Sequence, residues 1–430
     1  MSEQVSRSCP LDHVGRQAIF DYRMMTMTRK SSVVGGASIV ASVCVGAGML
    51  GLPSAGAGAW MLWSGLALCI TMIVMTLSGW MLLETLGQYE YRASFNTVTK
   101  AILGKRVCFF NNLMVYFVGA ILLYAYTTSS GLMIESALGI NEKLASVIFV
   151  AVFSSFVLHS TRAVDRLSVL LILFMVLSFV FGVFGLTVEV NISSLVSSLE
   201  EEVKRFPFVL AMFPVALTSF GYHHSVASLR SYYQDERKAG QAILGGTVIA
   251  LLLYVLWVVS IFGNLPRSAF DGILSQGGEV DVLLSSLGGV IVSERVSDII
   301  GAFSSAAVFS SFVGVGLGVF DFMADLAGFD DDRRGRLKTW AITFLPPLVL
   351  SLLFPFGFLL AIGYAGAAAT VWTCIIPAML ARKSRMTVEG KRAFLAPGGN
   401  AAIFLVLLFG VTVGVLHFMG VFGLLPVPEF

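Results

Sequence analysis

Two histidines stand side by side in one of the most apolar stretches of this 430-residue chain, in FPVALTSFGYHHSVASLRSYY, Phe213 to Tyr233. Thr218, Ser219, Gly221, His223 and His224 there gather hydroxyls, a glycine and two imidazoles where a helix would otherwise be uniformly greasy. Imidazole titrates near neutral pH, so His223 reads either as a proton carrier or as a neutral hydrogen-bonding partner of unwound backbone. A metal site is a poor reading of the pair, because helical neighbours point about 100° apart and no HExxH pattern accompanies them. A second interruption lies in VGAGMLGLP, where Gly46, Gly48 and Gly51 precede Pro53. Each glycine costs a helix about 1 kcal/mol relative to alanine.

The elements that carry these residues are read from composition. Hydrophobic residues make up 57% of the chain and charged ones 13%, about half the charged share of a soluble protein. Apolar runs long enough to cross a ~30 Å hydrocarbon core recur from residue 34 onward, so the fold class is all-α and polytopic. Eleven spans are expected, at 34–57, 60–84, 108–137, 142–159, 166–189, 206–231, 239–263, 296–324, 338–355, 357–381 and 400–424. With the N-terminus inside, 23 of the 28 Lys and Arg fall in cytoplasmic segments, as the positive-inside rule requires. The C-terminus then lies outside. Residues 1–33 read as a cytosolic tail without the pattern of a signal peptide. Five cysteines lack metal-ligand spacing, and neither a cofactor nor an enzyme active site is expected.

The two interruptions fall in spans one and six, five spans apart. An odd number of spans per repeat inserts the second copy upside down, so 34–189 and 206–381 are expected to be inverted repeats, with 400–424 appended. Broken helices at matching points of two inverted halves mark a midplane binding site. Unwound backbone at that depth needs a cavity or a protein neighbour. Half-helix N-termini suit a carboxylate and freed carbonyls suit an ammonium, and an amino acid offers both. Loops 85–107 and 264–295 join the second and third spans of each half, and both contain amphipathic stretches.

The motifs GAGMLGLP, TSFGYHHSVASL, VFDFMADL, GRLKTWAITFLPPL, GYAGAAA and the terminal GLLP resemble the hydroxy/aromatic amino acid permease family over residues 34–427. That resemblance implies a LeuT-type 5+5 fold with discontinuous helices 1 and 6. It also implies a secondary transporter of the bacterial inner membrane that imports an aromatic amino acid, tyrosine first, by proton symport. Tryptophan, a broader neutral substrate range and sodium coupling are the alternatives. The family has His-Gly where this chain has His223-His224.

Roles follow as expectations. The substrate carboxylate is assigned to N–H groups around Gly46, Ala47 and Gly48, with Gly48 needed for φ freedom and close approach. The ammonium is assigned to carbonyls around Ser42, Val43, Thr218 and Ser219. Tyr124, Tyr126, Phe220 and Tyr222 are the aromatic candidates for the side-chain pocket, beside Gly221 and His223. His223 and His224 are coupling candidates. By resemblance to LeuT-type transporters, Ser310 and Ser311 match a hydroxyl pair that would hold sodium with Ser42 and Val45. Asp321 and Asp325 read as an inner gate pairing with Arg29, Lys30 or loop arginines, or as solvated helix-end carboxylates; Glu84 is a weaker candidate of the same kind.

Overall fold

In the computed structural model the described residues are 32–430, except 92, 160, 291–292, 331, 355–356 and 388–393. The basic tail with Arg29 and Lys30 therefore lies outside the described residues, as does the side chain of Asp325. The described chain is helical, with no strand among these residues. Among the described residues nine helices are long and apolar enough to cross a membrane, or ten if one bent pair forms a single span.

That bent pair is the first predicted break. Helix α1 (Val33–Cys44) stops, and α2 (Ala47–Leu50) and α3 (Leu52–Gly56) continue after a 57° bend. Next come α4 (Trp60–Leu86), α5 (Phe95–Leu103), α6 (Lys105–Leu138), α7 (Glu142–His159) and α8 (Thr161–Glu189). Two short helices follow, α9 (Ile192–Leu195) and α10 (Leu199–Arg205).

The second break is more elaborate. A 3-10 stretch, Phe206–Met212, leads into α11 (Phe213–Ser219). The chain leaves helical hydrogen bonding at Phe220 to Tyr222, takes a 3-10 turn at His223–Ser225 and resumes as α12 (Val226–Tyr233). Helix α13 (Glu236–Asn264) is capped by Asp235, whose carboxylate accepts from the N–H groups of Arg237 and Lys238. The expected helical loop is present as α14 (Ala269–Ser275) and α15 (Val280–Gly288), as α5 is in the loop of the first half.

Helix α16 (Glu294–Ala327) precedes α17 (Arg333–Leu353), which is long enough to span but crowds Arg333, Arg334, Arg336 and Lys338 into its first turns. Helix α18 (Phe358–Thr370) starts at Gly357, whose φ of +111° is open to glycine and strained for other residues. A π-turn at Val371–Ile375, which no sequence pattern announced, leads to α19 (Ile376–Thr387). The last helix is α20 (Gly399–Val421).

The packing is pairwise. Helix α1 lies on α13, and both parts of the second break lie on α4. Helix α16 packs on α8, α6 and α17, and α6 packs on α18 and α7. Further pairs are α6–α17, α7–α16, α8–α13, α4–α19, α4–α13 and α7–α17.

Two buried ionic clamps fix one end of the bundle. Glu84, closing α4, accepts both Arg385 Nε (2.8 Å) and Nη2 (2.6 Å), and the N–H of Ala396 at 3.0 Å. Arg230 meets Glu236 at 2.9 Å and donates to the carbonyls of Tyr89 and Glu90, with the Tyr91 ring 4.4 Å from its guanidinium carbon. Glu84 thus pairs with an arginine of the Lys/Arg-rich end and joins α4 to α19.

Candidate functional site

The two breaks meet. A Cβ placed on Gly48 would lie 3.3 Å from Ser219 Oγ and 3.4 Å from Ser219 Cα, so the first break touches the second through a missing side chain. Neither Gly46 nor Gly48 has a positive φ. The expectation that Gly48 supplies φ freedom is thus corrected: close approach alone is what glycine gives here.

Two hydroxyls from elsewhere tie the breaks. The Tyr254 hydroxyl, at the middle of α13, lies 2.6 Å from both the Cys44 carbonyl ending α1 and the Ser219 carbonyl ending α11, with one hydrogen to give to either. Ser311 of α16 accepts the Ala47 N–H at 3.0 Å, and Tyr126 of α6 stands near Ser311. A Cβ on Gly46 would come within 2.6 Å of the same Ser311 oxygen. Of the groups expected to serve an amino acid head group, the Ala47 N–H and the Ser219 carbonyl meet these hydroxyls, together with the Cys44 carbonyl, which was not among them; the Thr218 carbonyl accepts the Gly221 N–H instead. Sequence reading missed Tyr254; a lone tyrosine inside VIALLLYVLW was its only signal.

The other candidates divide. Phe220 is fully buried against Tyr254, ring centroids 5.0 Å apart. Tyr222, also fully buried, donates to the Met75 carbonyl at 2.9 Å and fits against Gly79. Both rings are committed to packing rather than to a side-chain pocket. Tyr124 donates to the Phe354 carbonyl at 2.7 Å, away from the breaks. Thr218 donates to the carbonyls of Pro214 and Ile362, joining α11 to α18, and Gly221 donates to the Thr218 carbonyl. Ser310 and Ser42 bond carbonyls of their own helices, those of Ala307 and Ile39. Val45 sends its N–H to Ala41.

His223 is buried, stacked on Tyr222 and edge-on to Trp372 of the π-turn. Its Nε2 lies 3.1 Å from Ser78 Oγ, and Ser78 gives its one hydrogen to the Thr373 carbonyl. With Ser78 Oγ as the acceptor, Nε2 is the donor and Nδ1 is left as a lone-pair acceptor. That Nδ1 is buried and unpartnered, as is Trp372 Nε1.

His224, by contrast, is exposed, and so are Ser228 and Ser231 beyond it on α12. Ser38 and Ser42 are exposed on α1, and Gly314, Gly318 and Asp321 on α16. Val43 sits at 36% exposure. These positions recur at helical spacing on the halves of α1, α12 and α16 that run to the Lys/Arg-rich end. Polar positions at membrane depth line water rather than lipid. On the other side of the breaks, Ala47, Met49, Leu50, Leu52 and Ser54 are buried.

A polytopic helical bundle with two broken helices crossing at its centre is the architecture of a membrane transporter. In fold the chain is similar to a crystallised mutant of the manganese transporter of Eremococcus coleocola, with a TM-score of 0.57 at 15% identity over 91% of this chain and 88% of that one. The family is closer to hand. The tryptophan/tyrosine permease family model matches residues 29–417, and the chain belongs to that family; it is a permease, not an enzyme. It is 42% identical over 408 residues to a tryptophan-specific transport protein of Pseudomonas aeruginosa (strain UCBPP-PA14), covering 93% of this chain and 98% of that one. A tryptophan-specific transport protein of Haemophilus influenzae is 43% identical over 400 residues, 90% of this chain and 96% of that one. A tyrosine permease of Enterobacter agglomerans is 34% identical over 405 residues, 92% and 97%.

Proposed function

We propose that this permease imports an aromatic amino acid across the bacterial inner membrane by proton symport, with tryptophan rather than tyrosine as its principal substrate. The observation that carries the reading is the contact of the two breaks at Gly48 and Ser219, where freed N–H and carbonyl groups are collected. The substrate carboxylate takes the Ala47 N–H, and the ammonium takes the Cys44 and Ser219 carbonyls. His223 Nδ1, an acceptor with no donor, is assigned to an N–H such as that of indole. The higher identity to tryptophan-specific relatives moves the weight from tyrosine to tryptophan.

The 5+5 inverted repeat is supported by the helix pairs. Exchanging spans one to five with six to ten turns most of the close pairs into observed pairs, the exceptions including α11–α18 and α7–α8. Helix α1 on α13 becomes the second break on α4; α8–α16 becomes α6–α18; α6–α7 becomes α16–α17; α6–α17 becomes α7–α16; and α8–α13 becomes α4–α19. The pairs α6–α16, α4–α13 and α7–α17 map onto themselves. Counting α17 and the bent pair as spans gives eleven, with the N-terminus in the cytoplasm. On that orientation, the exposed polar positions support an inward-facing reading.

Protons are favoured over sodium on the resemblance to the hydroxy/aromatic amino acid permeases alone; Ser42 and Ser310 donate their hydrogens to the carbonyls of Ile39 and Ala307 and keep their oxygen lone pairs, and Ser311 accepts the Ala47 N–H. The test is labelled tryptophan uptake into proteoliposomes under separate proton and sodium gradients, with unlabelled tyrosine, phenylalanine and leucine as competitors. Saturable uptake driven by protons, with tyrosine a weaker competitor than tryptophan itself, is expected. Leucine competing best would sink the aromatic assignment, and uptake driven by sodium alone would sink the coupling.

A further inference from the structure

The loop between α13 and α16 closes the bundle at the end opposite the Lys/Arg-rich one. Its hinge is Gly277-Gly278, with φ of +83° and +66°. A Cβ on Gly278 would meet Leu359 of α18 at 2.9 Å and Ser54 of α3 at 3.4 Å, so the loop rests directly on the second part of the first break and on the start of α18. Glu279 follows. It is 2% exposed, and its Oε1 accepts the N–H of Gly357 at 2.6 Å and of Phe358 at 2.9 Å, the first donors of α18. Its Oε2 is buried with no partner, as is Oδ1 of Asp281 on the same loop.

The groups around this carboxyl are acidic or neutral. Asp281 of α15 and Glu142 of α7 both bear on Glu279, and Glu135 of α6 bears on both of those. From α6, Tyr124 stands near, its hydroxyl given to Phe354. The nearest cation in this set is Lys143, beside Glu142. The start of α18 offers only its backbone N–H groups.

We propose that Glu279 is a proton-binding site which fills as this end of the path closes, so that shutting the loop over Ser54 and α18 takes up one proton. In the closed arrangement Oε1 accepts both helix N–H groups as a carbonyl oxygen and Oε2 carries the proton; in the open arrangement the carboxyl meets water and ionises. Burial pushes the group up from 4.5 to about 7, with Asp281 and Glu142 adding to the rise and the two N–H bonds opposing it. The sign follows from linkage: the arrangement with the higher pKa binds the proton more tightly, so acid favours closure and alkali favours opening. Between pH 5.5 and 8.5 the open-to-closed ratio should rise about thirtyfold for values of 4.5 and about 7.

This inference rests on reading that end as the closed end of the transport path, and its test needs no substrate. Ser54 is replaced by cysteine in full-length protein whose five native cysteines have been removed, reconstituted in proteoliposomes. Labelling by a membrane-impermeant maleimide is compared between Glu279 and Glu279→Gln at each pH, which cancels the reagent's own pH dependence. Glutamine stands for the protonated form, so the Glu-to-Gln labelling ratio should climb about thirtyfold from pH 5.5 to 8.5. A flat ratio overturns the proposal, and a ratio falling with pH would show a charged clamp instead. Hydrogen exchange of residues 269–288 in the unmodified protein, corrected for intrinsic rates, gives a reading without any variant. Greater protection at pH 5.5 than at 8.5 is expected, and equal protection overturns the proposal.

Discussion

Replacing Tyr254 by phenylalanine removes one oxygen and leaves a ring of nearly the same shape against Phe220, 5.0 Å away. The lost hydroxyl serves the Cys44 and Ser219 carbonyls, both at 2.6 Å, from a side chain with no measurable exposure. One hydrogen serves one acceptor at a time, so the net loss is one buried hydrogen bond plus the cost of stranding a carbonyl. That amounts to about 1–3 kcal/mol, which is roughly a 5- to 150-fold change in an equilibrium constant. Equilibrium unfolding in mixed micelles, with and without saturating tryptophan, measures it. The substrate-free variant should lose this amount. The loss should shrink when tryptophan is bound, because the ammonium then supplies the carbonyls with donors. A loss below about 0.5 kcal/mol would show that the bridge carries no stability. A loss that grows with tryptophan would make the Tyr254 hydroxyl a substrate contact and refute the assignment of these carbonyls to the ammonium.

Ser311→Ala strands the Ala47 N–H, costs about 1–2 kcal/mol in the free protein, and should leave uptake as sodium-independent as in the parent; loss of a sodium response would restore the hydroxyl pair as a cation site. Gly79→Ala drives a Cβ to 2.1 Å from the Tyr222 hydroxyl and should cost about 1–3 kcal/mol. Adding Tyr222→Phe should recover part of that in the same unfolding assay, and absence of rescue would locate the strain elsewhere. Glu84→Gln unpairs Arg385 at a carboxylate whose side chain is fully buried and should cost about 3 kcal/mol. Glu200→Gln, by contrast, breaks an ion pair whose side chains are 71% and 80% exposed and should move stability by less than about 0.5 kcal/mol.

How much of this was legible in the sequence depends on the range of the interaction. Apolar run length found the nine long helices, and the bent pair as a tenth span, because crossing a bilayer is a local requirement on about twenty residues. Glycine and hydroxyl clusters found both breaks, because the cost of interrupting a helix is local too. What the breaks do to one another is not local. Gly48 and Ser219 are 171 positions apart, and Tyr254 is 210 from Cys44. Tyr222 and Phe220 flank a break and are aromatic, which made them pocket candidates. Their commitment to Met75 and Tyr254 depends on which way the chain turns on leaving α11. The π-turn beside His223 left no sign in VWTCI, and Glu279 looked like an ordinary loop acid until the start of α18 came to rest on it.

The ties at the crossing bear on how binding could be made to move the helices. Ser311 holds the N–H that a carboxylate would need, and Tyr254 holds the carbonyls that an ammonium would need. Ser311 belongs to α16 and Tyr254 to α13, so each tie fastens a broken helix to a different neighbour. On the proposed assignment an amino acid entering the crossing displaces both, and in doing so exchanges bonds from the breaks to α13 and α16 for bonds from the breaks to itself. The number of hydrogen bonds is nearly conserved, while the number of helices held by the crossing falls. A substrate that satisfies only one of the two ties, a carboxylic acid without an amine or an amine without a carboxylate, should therefore bind weakly and release only one neighbour. Indole-3-propionate and tryptamine make that comparison with the ring kept constant. Both should inhibit tryptophan uptake poorly, and neither should accumulate in exchange for internal tryptophan. Exchange by either compound at a rate near that of tryptophan would mean that displacing a single tie is enough to move the helices.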